Sequence, residues 1–158
     1  MNFDLLIIGS GPGGYVAAIR ASQLGMRVGV VEKAELGGVC LNWGCIPTKS
    51  LLKSASVLET FSHAADYGIT LEGRVKASFD GMITRSRGIA EEMNKGVQFL
   101  FKKNKIEHIR GTGRLKGKQS VEVTAADGTK TVYQAPHIIL ATGARSRGML
   151  FPPCLPPI

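Results

Sequence analysis

Residues 5–32 constrain the fold more than any other stretch of the sequence. The run "LLIIG" is short, apolar and followed at once by glycines, as is typical of a buried strand in a parallel sheet. Apolar residues at helical spacing follow, including Val16, Ala17, Ile19 and Leu24, and Gly25 is placed where helices commonly end. "RVGVVE" then predicts a second buried strand. Together these elements predict a βαβ unit with a right-handed crossover.

The turn of this unit, "GSGPGG", has glycines at positions 9, 11 and 14. In a nucleotide-binding turn Gly9 permits the sharp bend, Gly11 lets the backbone approach a pyrophosphate, and Gly14 lets helix and sheet pack closely. Glu32 ends the second strand, where a carboxylate accepts hydrogen bonds from ribose hydroxyls and repels a 2′-phosphate. The alternative is a plain turn followed by a solvated glutamate. The combination of strand, glycines, helix and acid favours a dinucleotide site.

The rest of the chain predicts two more helices and several strands. One helix covers about residues 46–61, and a longer one runs from about Ser78 to Lys103. "IEHIRGTGRL", "QSVEVTAADG" and "TKTVYQAPHIILATG" predict strands joined by glycine turns, with a hairpin at "ADG". We therefore expect an α/β fold, a Rossmann-like parallel sheet with a small antiparallel β meander. The apolar stripe of the long helix is expected to comprise Met82, Ile83, Ile89, Met93, Val97, Leu100 and Phe101.

Composition excludes some classes of function. No apolar run approaches the ~20 residues needed to span a bilayer, so no membrane span is expected. A strand begins within a few residues of Met1, so we expect no secretory leader and a cytoplasmic protein. The net charge of +8 raises the possibility of nucleic-acid binding. Its basic residues are dispersed without interleaved aromatics or a recognised motif, so no nucleic-acid partner is expected.

The segment "GGVCLNWGCIPTK", residues 37–49, contains two cysteines. A reducing cytoplasm disfavours a permanent structural disulfide and leaves metal binding or redox catalysis. Cys40 and Cys45 supply two ligands, whereas structural zinc usually has four. The other candidates are scattered at spacings that match no zinc motif, so no metal is expected; they are Cys154, His63, His108 and His137.

Redox chemistry suits the surroundings of these cysteines. The helix predicted from residue 46 places both thiols at or just before a helix N-terminus, where the amide dipoles lower the pKa of a thiol. The flanking Gly38, Gly44 and Pro47 let the backbone bend, so that the two Cα atoms can come within the roughly 4.4 to 6.8 Å that a disulfide requires. This pattern indicates two cysteines whose disulfide bond can form and break.

The cysteine segment, the glycine fingerprint before it and "ATGA" at 141–144 behind it together resemble the flavin-dependent pyridine nucleotide-disulfide oxidoreductases, from about Phe3 to Arg147. The resemblance implies that the bound dinucleotide is FAD. It implies that Cys40 is the interchange thiol that forms a mixed disulfide with substrate, and that Cys45 lies against the flavin and forms the charge-transfer contact. The FAD contacts that it implies are Gly9, Gly11, Gly14, Glu32, Lys33, Gly38, Lys49, Gly113, Thr142 and Gly143.

"CIPTKSLL" looks like the members of this family that oxidise dihydrolipoamide, because those that reduce glutathione usually have a second lysine in place of Thr48. The resemblance thus implies oxidation of protein-bound dihydrolipoamide, with NAD as co-substrate. It also implies a homodimer that serves lipoyl-bearing components of a 2-oxoacid dehydrogenase or of the glycine cleavage system. Glutathione-like disulfides and mercuric ion remain alternative substrates.

Members of this family are much longer than this chain. We expect residues 1–147 to be an FAD-binding domain that lacks the NAD-binding and dimer-interface domains, followed by a divergent proline-rich tail at 148–158. Faces that pack on missing domains should then expose apolar surface. A second hypothesis is that the chain is a non-catalytic FAD-binding module. No histidine lies in a motif matching the family's base, so none is given that role.

Overall fold

The structure, a computed structural model, describes residues 3–144. The predicted tail at 148–158, with Cys154, lies outside these residues. The strands are β1 (Leu5–Ile8), β2 (Val28–Glu32), β3 (Glu107–Arg110), β4 (Thr112–Leu115), β5 (Ser120–Thr124), β6 (Lys130–Gln134) and β7 (His137–Leu140). The helices are α1 (Pro12–Gln23), α2 (Gly38–Asn42), α3 (Cys45–Ser62) and α4 (Phe79–Lys103), with a 3-10 turn at Ala64–Tyr67.

The four-stranded sheet has the order β3-β2-β1-β7, and all its strand pairs are parallel. Leu5 to Ile8 of β1 pair with Val28 to Val31 on one side and with His137 to Leu140 on the other. The central strand is completely buried, as expected for a parallel strand covered on both faces. The predicted α/β fold and its βαβ unit are confirmed.

Helix α1 lies on this sheet through small side chains. Its buried residues are Gly14, Ala18 and Ala21, whereas Val16 is 54% exposed and Leu24 is 65% exposed. The apolar spacing predicted the helix, but the larger side chains do not form its inner face. Small residues let the helix backbone approach the sheet closely, which is the packing that the third glycine of the fingerprint serves.

The second sheet, β4-β5-β6, is the predicted antiparallel meander. The chain passes from the parallel sheet to this one at Gly111, which has φ +149°; a Cβ there would lie 2.6 Å from the carbonyl oxygen of Thr124. The "ADG" turn joins β5 to β6 with Gly128 at φ +85°. A core of apolar side chains joins the two sheets and includes Leu6, Ile8, Val31, Ile109, Val121 and Val123.

Helices α3 and α4 pack against each other. The buried residues of α4 are Ser86, Ala90, Asn94, Val97 and Phe101. The sequence predicts Val97 and Phe101 in this face, and both are buried there; it also predicts Met93, which is 43% exposed. The expectation fails there because the neighbouring Asn94 takes the inward position, where it donates to the backbone carbonyl of Leu36, just before the cysteine segment.

Much apolar surface on these helices remains exposed. Val57, Leu58 and Phe61 of α3 face Met82 of α4 across a groove of about 450 Å³. Phe79, at the start of α4, is 70% exposed. No helix within residues 3–144 combines the length and the hydropathy that crossing a bilayer requires.

Candidate functional site

The glycine turn after β1 is closed by backbone contacts. Gly9 has φ +102°, and a Cβ on it would overlap the carbonyl oxygen of Ala141. A Cβ on Gly14 would overlap the carbonyl oxygen of Gly9. At Gly11, by contrast, a Cβ would meet no atom of residues 3–144 within 4 Å. The turn is therefore packed against protein on two sides and open at Gly11.

The cysteine segment begins directly on this turn. Gly38 has φ +62°, and a Cβ on it would lie 2.7 Å from the Cα of Gly11. The amide of Gly37 donates a hydrogen bond to the carbonyl of Ser10 at 3.0 Å. Two motifs that are separate in the sequence are thus in contact in the fold, and only glycine at 38 permits this approach.

The carboxylate of Glu32 is held at the end of β2. Oε2 accepts hydrogen bonds from the amide of Ser10 at 2.9 Å and from its Oγ at 2.8 Å, and Oε1 accepts one from the amide of Ala34 at 2.9 Å. Burial by itself would raise the pKa of Glu32, but these hydrogen bonds outweigh it and lower the pKa below its ordinary value. Glu32 is therefore an anion at neutral pH with a fixed orientation.

A groove of about 120 Å³ opens beside Glu32. Gly113 lies over the sheet at this groove, and a Cβ there would be 3.1 Å from Cγ1 of Val31 and 3.2 Å from Cγ2 of Ile8. Five predicted cofactor residues line the groove, namely Gly9, Glu32, Lys33, Gly113 and Thr142. Gly143, with φ +71°, follows them after β7. Lys49 is not among the lining residues; it is exposed on α3, one turn after Cys45.

Cys40 and Cys45 form a disulfide, with a Cα–Cα distance of 4.6 Å. Cys45 is the first residue of α3, at a helix N-terminus as predicted. Cys40 instead lies inside α2, a five-residue helix that the sequence did not predict because so short a glycine-led segment has little helical periodicity. Cys40 is half-buried and Cys45 is exposed.

Helix α4 holds the segment before and between the cysteines. Nδ2 of Asn94 donates to the carbonyl of Leu36 at 2.8 Å, and Nδ2 of Asn42 donates to the same carbonyl at 2.9 Å. Asn42 lies between the two cysteines in the sequence, and its own carbonyl accepts from Nη1 of Arg87 at 3.1 Å. Both asparagines are buried.

The same helix also holds the start of α3. Oγ of Ser86 is buried and donates to the carbonyl of Pro47 at 3.1 Å. Nη1 of Arg85 donates to Oγ of Ser50 at 2.8 Å. Sequence reasoning missed these α4 side chains. The available signal was weak: Ser86 and Asn94 are polar residues eight positions apart, and hence on one face of a helix, beside an otherwise apolar stripe.

The three histidines lie on different elements. His63 follows α3, His108 lies on β3 and His137 on β7. Burial, with the nearby Arg110, lowers the pKa of His108. In the part of the chain that the structure describes, no three histidine, cysteine, aspartate or glutamate side chains come together as metal ligands would.

Comparison with known proteins shows the family to which the chain belongs. The family model for pyridine nucleotide-disulphide oxidoreductases matches residues 3–154. A dihydrolipoyl dehydrogenase of Zymomonas mobilis is 50% identical over 146 residues, which are 92% of this chain and 31% of that relative. One from Rhizobium etli is 49% identical over 165 aligned residues, which are 94% of this chain and 34% of the relative. A leghemoglobin reductase of Vigna unguiculata is 44% identical over 143 residues, 89% of this chain and 27% of the relative. The chain thus spans about a third of the length of these relatives.

Proposed function

Because the chain belongs to the pyridine nucleotide-disulphide oxidoreductase family, we propose that it is the FAD-binding and disulfide-bearing part of a dihydrolipoyl dehydrogenase. Residues 1–147 form the FAD-binding domain and 148–158 a divergent tail in this proposal. The observation that carries it is the contact between the two motifs: Gly38, at the start of the cysteine segment, touches Gly11 of the nucleotide turn. A dinucleotide bound on that turn would therefore lie close to the segment that contains the disulfide.

The residues around the turn fit FAD. Gly11 leaves open space where a pyrophosphate can approach the backbone, and the N-terminus of α1 behind it favours a negative charge. The oriented, ionised carboxylate of Glu32 would accept hydrogen bonds from ribose hydroxyls. Lys33, Gly113 and Thr142 would line the adenosine side, with Gly14, Gly38, Lys49 and Gly143 as further contacts. When bound, FAD would carry two electrons from the cysteine pair to NAD.

The cysteines perform the thiol chemistry of this proposal. A dihydrolipoyl thiolate attacks Sγ of Cys40, forming a mixed disulfide and releasing Cys45 as a thiolate at the N-terminus of α3. The second lipoyl thiol then attacks the lipoyl sulfur of the mixed disulfide, which breaks the bond to Cys40, and its proton passes to the departing Cys40 thiolate. The lipoyl group becomes a disulfide, and the cysteine pair has gained its two electrons. The exposure of Cys45 suits a thiol that a cofactor would cover.

The proposal includes the assembly that this activity requires. The complete enzyme would be a cytoplasmic homodimer that takes dihydrolipoyl groups from a 2-oxoacid dehydrogenase or glycine cleavage component and uses NAD as the acceptor. The names of the relatives from Zymomonas mobilis and Rhizobium etli support this proposal.

An absorption experiment tests the assignment of the two thiols. The purified chain is mixed with FAD, freed of excess by gel filtration and compared with Cys40→Ser and Cys45→Ser. We expect bound flavin in all three, because neither sulfur lies in the nucleotide turn. In Cys40→Ser the free Cys45 thiolate should add a long-wavelength charge-transfer band without any reductant, whereas Cys45→Ser should lack the band. Absence of bound flavin, or an equal band in Cys45→Ser, would contradict the proposal.

A further inference from the structure

We propose that Asn94 and Arg87 of α4 are positioning residues for the thiol–disulfide chemistry, and that they act through Asn42 to keep Cys40 within closing distance of Cys45 after the disulfide opens. The inference rests on the proposed redox role of the pair. It assigns a function to side chains whose hydrogen bonds, within the residues that the structure describes, reach neither sulfur of the cysteine pair nor the nucleotide turn.

Asn42 is the fixed point of the segment between the cysteines. Its Nδ2 donates to the carbonyl groups of Leu36 and Gly38, both at 2.9 Å, which ties it to the chain before Cys40. Asn94 shares the Leu36 carbonyl at 2.8 Å and also lies 3.4 Å from Oδ1 of Asn42. Arg87 holds the carbonyl of Asn42 itself. Asn42 is thereby bonded through both its side chain and its backbone.

Burial makes this arrangement specific. Asn42 is 9% exposed and Asn94 is 7% exposed, so their amides have little access to water. A buried amide that loses its hydrogen-bond partner is costly, and this penalty opposes alternative positions of the segment. Ser86 donates to the carbonyl of Pro47, which follows Cys45. The same helix therefore fixes the backbone on both sides of the disulfide.

A helix that holds both ends of the segment affects the equilibrium of the disulfide. Two glutathione molecules reduce the pair: each gives up one electron and one proton, the S–S bond breaks to leave two thiols, and the glutathiones join as glutathione disulfide. The freed segment would gain conformational entropy, which favours the open state. Hydrogen bonds that persist in the open state limit this gain and keep the thiols at a high effective concentration. Their loss should therefore favour the dithiol.

The test measures the exchange equilibrium of the whole chain in glutathione buffers, by alkylation and mass spectrometry. One tryptic peptide, residues 34–49, contains both cysteines and excludes Cys154. Asn94→Ala should shift the equilibrium constant toward the dithiol about tenfold, which is about 30 mV for a two-electron couple. Arg87→Ala removes one hydrogen bond from an exposed side chain, so it should fold and shift the constant about threefold.

The matched control is Asn104→Ala, which removes the amide side chain of the residue just after the C-terminus of the same helix, where it donates to the carbonyl of Leu100. It should lower stability but leave the exchange constant within about twofold of that of the unmodified chain. Constants for Asn94→Ala and Arg87→Ala that match this control would overturn the inference. An unmodified pair that never oxidises in these buffers would instead overturn the proposed function, and this inference with it.

Discussion

The two halves of the site are held together in different ways. The nucleotide turn is closed by backbone atoms, with Gly9, just after β1, against Ala141, just after the adjacent β7, and Gly14 against Gly9. The cysteine segment is held by side chains of α4, such as Ser86 and Asn94, which are 39 and 58 residues away from their acceptors. The turn is therefore sensitive to added atoms, and the segment, beyond its close contact at Gly38, is sensitive to deleted ones.

The largest expected effect tests the first half of this contrast. Gly14→Ala places a Cβ on the carbonyl oxygen of Gly9, so α1 must move away from the turn. We expect a loss of about 3 kcal/mol in the free energy of unfolding. Urea denaturation followed by circular dichroism measures it.

The control for this change is the adjacent Gly13→Ala. Its Cβ would meet no atom of the described residues within 4 Å, and it lies within α1. Alanine there should stabilise the helix by about 0.5 to 1 kcal/mol, because glycine loses more entropy on folding. If both variants lose similar stability, the close contact at Gly14 does not determine the turn.

A smaller loss of stability is expected when one oxygen atom is removed from the side chains that hold the cysteine segment. Ser86→Ala leaves the carbonyl of Pro47 without its buried donor, which should cost about 1 to 2 kcal/mol of unfolding free energy. Ser62→Ala removes an exposed hydroxyl on α3 and should change the same quantity by less than about 0.5 kcal/mol. Equal losses in the two serine variants would mean that α4 does not hold the segment through this bond.

The smallest effect depends on pH and concerns Glu32, whose carboxylate accepts hydrogen bonds from Ser10 of the nucleotide turn. Its pKa is lower in the folded chain than its ordinary value of 4.5, so its contribution to stability is present above that pH and is lost as pH falls through the lowered pKa. Glu32→Gln should therefore cost about 1 kcal/mol at pH 7, because the carboxylate is partly exposed, and progressively less below pH 4.5. Stability curves that stay parallel from pH 7 to pH 3 would contradict this assignment.

The same contrast explains how much of the fold the sequence predicts. The βαβ unit and the "ADG" hairpin are visible because each depends on glycines and apolar residues that are neighbours in the chain. The order of the parallel sheet is not visible, because β1 pairs with β7 and β2 with β3 across long separations. The sequence also does not predict that the chain passes from one sheet to the other at Gly111, because a single glycine within "IRGTGRL" does not indicate which sheet the next strand joins.

The site divides in the same way. The nucleotide glycines, Glu32 and the two cysteines are recognisable because their spacing along the chain reflects their chemistry. Asn94 and Ser86 are not, because a polar residue in a helix gives no local sign of which carbonyl it reaches. The apolar pattern favoured Met93 for the inner face of α4, whereas the backbone carbonyl of Leu36, which this face meets at that turn, selects Asn94.

The pairing of β1 with β7 also determines how long β1 stays partly unpaired while the chain is being synthesised. Leu5 lies opposite His137 in the parallel register, about 130 residues later, so one edge of β1 has no strand beside it until β7 has left the ribosome. At typical rates of translation this interval is on the order of ten seconds. During that time an apolar strand, which is completely buried in the finished sheet, is open on one edge. Chaperones that bind nascent chains would have their longest opportunity at this strand.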